Sequence, residues 1–148
     1  MSEAELLGQD IAVRIVKGST LFSELRLTNS FNETVKTEIK ESGHLGEKVN
    51  RFQEILNGYG GDFEANVNRA AWVQWQQAVI ARATRQDPDA QFVIVRLDTY
   101  SDGSTNLFTY EEIAWGEMPT SIGSRGDFVK VKGSFSCSKR TVSQDTVI

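Results

Sequence analysis

The stretch "FNETVKTEIKE", residues 31–41, alternates without a break: Phe31, Glu33, Val35, Thr37 and Ile39 share one side, and Asn32, Thr34, Lys36, Glu38 and Lys40 the other. Side chains of an extended chain point to opposite faces in turn, and β-branched Val, Thr and Ile suit the pleated backbone. The stretch predicts a long, half-solvated β-strand, and with it a mainly β protein.

Working outward toward the N-terminus, "IAVRIV" and "LFSELRLTN" are joined by "KGST", whose glycine supplies a turn, so the two runs predict a hairpin. Toward the C-terminus, "KESGHLGEKVNRF" (residues 40–52) carries the only histidine, two glycines and a run of charges. "KVNRFQEILNGYGGDFEANVN" (residues 48–68) then predicts a strand, a glycine-dense turn at Gly58, Gly60 and Gly61, and a further strand. A helix over residues 47–56 competes, because Val49, Phe52 and Leu56 fall at helical spacing.

Residues 69–86 change period. Trp72, Trp75, Val79, Ile80 and Ala83 fall on one side of a helix, with Asn68 as its N-cap and "DPD" (residues 87–89) as its stop. "QFVIVRLDTY" and "NLFTYEEIAWGEM" predict a hairpin about Asp102-Gly103, and "GDFVKVKGSFSCS" a last strand with a register shift at Gly133. These elements predict an antiparallel sandwich or barrel with one α-helix covering an open end or edge. Such strands leave edges that closure or neighbouring subunits must protect.

The chain has 148 residues, 39% hydrophobic and 24% charged, which suits one globular domain over residues 1–148. No basic segment followed by an apolar run marks a signal peptide, and no window approaches the roughly 18 apolar residues of a membrane span. The expectation is a soluble protein made in a cytoplasm. A net charge of −4 argues against general affinity for a phosphate backbone.

Chemistry is sparse. With one histidine and one cysteine, a metal site would have to be completed largely by carboxylates, which argues against zinc, and Cys137, in an alternating run, reads as a core residue. His44 has no serine in a nucleophile elbow to work with. Glu111 and Glu112, adjacent on a strand, point to opposite faces unless a bulge intervenes, so they read as a solvated face rather than a catalytic pair. "GYGGDF" lacks the Lys-Ser/Thr and the helix of a phosphate loop. Trp72, Trp75 and Val79 read as anchors of the helix on the sheet. Lys130, Lys132, Lys139 and Arg140 read as the solvent face of a strand and its tail. Asp98, Asp102, Glu111 and Glu117 are the candidates for an acidic surface. The expectation is a protein without catalytic, cofactor or metal sites.

Several phrases in this order resemble the tail tube proteins of contractile-tailed bacteriophages: "GSTLFSELRLTNSFNETVKTEIKESGHLGE", "NRFQEILNGYGGDFEA", a helix, "VIVRLDTYSDGSTNLFTYEEIAW" and "GDFVKVKGSFSCSKR". The same fold group includes the type VI secretion and bacteriocin tube proteins. The resemblance spans residues 10–141 and implies two antiparallel sheets packed as a small barrel with a helix at the flank. It implies a structural subunit, six copies forming a ring and stacked rings a tail tube for genome delivery, built in the host cytoplasm and carried in the virion. Sheath, baseplate or hub, and tape-measure proteins are its implied partners. DNA would pass through the lumen without specific binding.

The resemblance also assigns residues 42–50, with Ser42, Gly43, His44, Leu45, Gly46, Glu47 and Lys48, to contacts between subunits and rings. Leu45 would be the apolar anchor and His44 a contact residue. Residues 1–10 and 139–148 would be extended arms. A monomeric small-ligand β-barrel, with Trp72, Trp75 or Trp115 lining its pocket, is the alternative, as is a tube of the secretion or bacteriocin kind.

Overall fold

The computed structural model describes residues 5–7, 10–17, 20–26, 29–43, 45–46, 48–67, 70–86 and 88–145. Hairpin β1 (Ile11–Lys17) and β2 (Thr20–Arg26) is followed by β3 (Ser30–Ser42) and β4 (Arg51–Asn66). Helix α1 (Ala71–Ala83) comes next, then β5 (Phe92–Thr99), β6 (Thr105–Trp115), the two-residue β7 (Thr120–Ser121) and β8 (Lys130–Asp145).

The fold is mainly β with one helix, but the strands do not separate into two sheets. They pair antiparallel in the order β2-β1-β5-β6-β8-β4-β3, with β7 on β8, and among the described residues the path does not close. The reason lies in β8. At 16 residues it reaches both neighbours: residues 130–137 pair with β4 and residues 135–145 with β6. One strand therefore joins what would otherwise be two sheets. Residues 139–145, expected in a terminal arm, are the paired second half of β8.

The glycines of "GYGGDF" do not make a turn. β4 runs straight through them, and each sits where another backbone or ring comes close. A Cβ on Gly61 would lie 1.9 Å from the backbone oxygen of Asn32, and one on Gly58 3.1 Å from that of Cys137. Gly58, at φ 123°, also adjoins a bulge: Lys36 pairs with Gly58 and Thr37 with Leu56, leaving Asn57 over. Nor does the register shift at Gly133, which pairs with Phe63 in an unbroken ladder. Its missing side chain makes room for the Phe63 ring, 2.6 Å from an added Cβ, and for Trp75.

The core lies between the curled sheet and α1. Trp72, Trp75 and Val79 are buried, and Trp75 packs on Trp115 at 5.0 Å between ring centroids, on Phe63 at 5.6 Å and on Trp72 at 5.8 Å. The two tryptophan–tryptophan pairs meet edge to face, a favourable quadrupole geometry, and the Phe63 ring is tilted against Trp75. The three tryptophans thus pack against one another rather than around a ligand space.

The helix stops at Arg85, whose φ of 64° is left-handed, while the Gln86 amide donates to the Ala81 carbonyl. That bond spans five residues, as in a Schellman motif, so the helix ends before "DPD" is reached. Asn68, the expected N-cap, lies outside the described residues. Asp102-Gly103 turns the β5-β6 hairpin: Gly103 has φ 90°, and the Ser104 amide donates to the Asp102 carboxylate at 2.8 Å, holding that carboxyl below its ordinary range. Cys137 is buried, and burial pushes its thiol up. Among the described residues no helix is long and apolar enough to cross a membrane.

Candidate assembly surface: a ribbon that carries the core face into solvent

β3 pairs with β4 over the whole of its length, from Ser30 with Glu64 to Ser42 with Arg51. β8 reaches β4 only from Tyr59 to Asn66. Residues 36–42 and 51–58 therefore form a two-stranded ribbon beyond the sheet, closed by residues 43–50. The arm expected from sequence was a loop; here it is a ribbon with a loop at its tip. Leu45 is fully exposed, Gly46 takes φ 89°, and Ser42, Gly43 and Lys48 are exposed. His44 and Glu47 lie outside the described residues. Asn50 donates to Glu41 across the base of the tip, and Asn57 to Glu38 at 3.2 Å.

The ribbon's two faces differ. Cross-strand partners share a face, so Val35, Thr37, Ile39 and Glu41 lie with Leu56, Glu54 and Phe52. Farther back the same face carries Phe31 and Phe63, whose rings pack in the core. The core face of the sheet thus runs on past the core. Ile39 is 71% exposed, Phe52 65% and Leu56 54%. The opposite face carries Lys36, Glu38 and Lys40.

A charge cluster ties the root of the ribbon to the far side of the sheet. Glu33, between Phe31 and Val35 on the core face, receives hydrogen bonds from Arg96 at 3.2 Å, from the Tyr110 hydroxyl and from Arg140. Arg96 also holds Asp98 through two bonds of 2.7 and 2.9 Å. The two guanidiniums lie over the Phe108 ring, Arg96 at 4.4 Å and Arg140 at 5.4 Å. Burial, and then the hydrogen bond to Glu33, push the Tyr110 phenol far up, so it remains a donor. The cluster fastens edge strand β3 to β5, β6 and β8.

Of the four acidic candidates, Asp98 is corrected: it is 1% exposed, because it faces inward to Arg96. Asp102 sits in the β5-β6 turn, Glu111 lies 3.6 Å from Lys139, and Glu117 is exposed beyond β6. The structure does not gather them. No bulge intervenes at Glu111-Glu112, since Glu111 pairs with Lys139 and Ile113 with Cys137 in unshifted register, although Glu112 takes a left-handed φ of 56° and Tyr110 and Ile113 are both buried. The basic set is paired with acids. Lys130 and Lys132 flank Glu64 at 3.6 and 3.7 Å, and Arg140 is the cluster residue, turned inward.

No protein-family model matches the sequence, and no curated protein matches it. The fold matches solved structures along nearly its full length. A chain of the anti-feeding prophage (AFP) tube terminating cap superposes with TM-score 0.68 at 11% identity, over 98% of this chain and 95% of that one. A chain of the AFP baseplate gives 0.65 at 12%, over 97% of each. The chain thus shares its fold with chains of the AFP cap and baseplate. A chain of the PVC sheath-tube complex, an extracellular contractile injection system in its extended state, gives 0.64 at 10%, over 97% of this chain and 93% of that one. At such identities the likeness is one of backbone, so residue roles rest on this chain's own geometry.

Proposed function

We propose that this protein is a structural subunit of a contractile tail tube, assembling into stacked rings whose lumen serves as a conduit for a genome. The observation that carries this reading is the ribbon: an apolar core face that leaves the core and ends in solvent. Exposed apolar faces of this kind mark protein interfaces. Among the described residues β2 and β3 are the edge strands of the sheet, and a neighbouring copy would cover their outer backbone groups. Contacts between unlike surfaces of identical subunits give rings where rotation closes and open stacks where it does not. The fold shared with cap, baseplate and sheath-tube chains supports the same reading, with sheath and baseplate proteins as partners outside the tube.

In this role the protein performs no chemistry, and the tip residues 42–50 contact the next ring. Concentrated purified protein viewed in negative stain is expected to show rings or stacks. Dispersed monomers at every salt and protein concentration would overturn the reading. Ser42 pairs directly with Arg51, so residues 43–50 can be replaced by Asn-Gly, a two-residue hairpin turn. That variant is expected to keep its circular dichroism and melting temperature and to lose stacking. Tubes of normal length from it would remove the tip from the interface.

A further inference from the structure

The tube reading leaves open what covers the ribbon's apolar face, and the chain carries a second exposed apolar site at the opposite end of β4. There Asn66 pairs with Lys130, and the Val67 amide donates to the Val129 carbonyl at 2.8 Å, tying down the segment that precedes β8. Within that segment the Asp127 carboxylate accepts from the Ser124 amide at 2.9 Å and from its hydroxyl at 2.8 Å, and the Asp127 amide donates back to the Ser124 carbonyl at 3.0 Å. The result is a fixed turn flanked by Ile122, 76% exposed, and Phe128, 74% exposed. An internally bonded turn that holds two large apolar side chains in water is built for contact rather than for packing.

The two sites are complementary in three respects. One is a flat strand face and the other a projecting turn. Glu54 lies within the ribbon face, and exposed Arg125 lies in the turn. They also stand apart along one strand, Leu56 and Asn66 being ten residues distant and Phe52 farther still, roughly 40 Å from site to site. Sites at opposite ends of one strand cannot meet within a copy, but they can meet between copies placed head to tail.

Resting on the tube reading, we propose that the ribbon face of one copy (Val35, Ile39, Phe52, Leu56) docks on the Ile122 and Phe128 turn of the next copy. Because the two surfaces differ, a docked pair leaves one of each free at its two ends, and the contact repeats from there. Apolar contact supplies the attraction, and the Glu54 and Arg125 charges set its direction.

The test uses the full chain with one cysteine added to each site, F52C in one preparation and F128C in another, joined by a short bismaleimide under assembling conditions. Cys137, buried with its thiol pushed up, stays unreactive, and wild-type protein is the control. The mixture is expected to give a cross-linked dimer that neither variant gives alone, and the double variant F52C/F128C a ladder. Wild-type tubes together with no such dimer would overturn this inference alone. Cross-linking of F52C to V73C on the outer face of α1 instead would do the same, placing the ribbon on the helix. Absence of any assembly by the wild type would overturn the tube reading and this inference with it.

Discussion

Glu33→Ala is expected to lower the protein's stability by about 2–4 kcal/mol, seen as a fall of roughly 10 °C in melting temperature. The Glu33 carboxylate is 11% exposed and answers two guanidiniums. Removing it leaves Arg140, 25% exposed, beside aromatic rings without its carboxylate, while Arg96 keeps Asp98. A desolvated charge stripped of its partner costs several kcal/mol, and partial exposure trims that figure. Glu33→Gln keeps an acceptor for Tyr110 and is expected to cost about half as much. Replacing the group as a whole, in E33L/R140L, is expected to recover much of the loss, because apolar groups of similar volume often serve as well as an ion pair. A melting temperature for Glu33→Ala within 2 °C of wild type would show that the cluster does not hold β3 in place.

Gly61→Val is expected to be more severe, with a loss of at least about 3 kcal/mol and poor recovery of folded protein. The added Cβ would fall 1.9 Å from the Asn32 backbone oxygen, and a backbone atom cannot swing aside as a side chain can. β3 would have to part from β4 at the pair Glu33 and Gly61, which also breaks the Glu33 cluster. Gly126→Val is the control: nothing lies within 4 Å of its added Cβ, and it is expected to change stability little. Equal melting temperatures for Gly61→Val and Gly126→Val would disprove the close approach of the two strands.

The alternation that predicted β3 also held the signal for the cluster, since Glu33 stands among Phe31, Val35 and Ile39 on what became the core face. A carboxylate in an apolar row implies a buried partner. Which partner was not legible, because Arg96 and Arg140 lie 63 and 107 residues away in the chain. The glycines misled for a related reason. Gly58, Gly60 and Gly61 suit a turn by their backbone freedom and a strand by their lack of a side chain, and only the neighbouring strands decide between the two uses. Asp98 looked like surface because it lies in a strand that also carries Arg96 and ends near a turn. It is interior because residues 96 and 98 share a face, and that face points inward.

The sequence by itself determined the local conformations: the period of two in residues 31–41, the helix with its tryptophans on one side and the Asp102-Gly103 turn. Those depend on backbone sterics and side-chain spacing, which act over a few residues. The tertiary structure alone decided that β8 joins the strands into one open sheet, that two arginines meet Glu33 and that the ribbon's apolar face outruns its core. Pairing and coverage depend on contacts between distant residues, and local periodicity carries no information about which distant residue arrives.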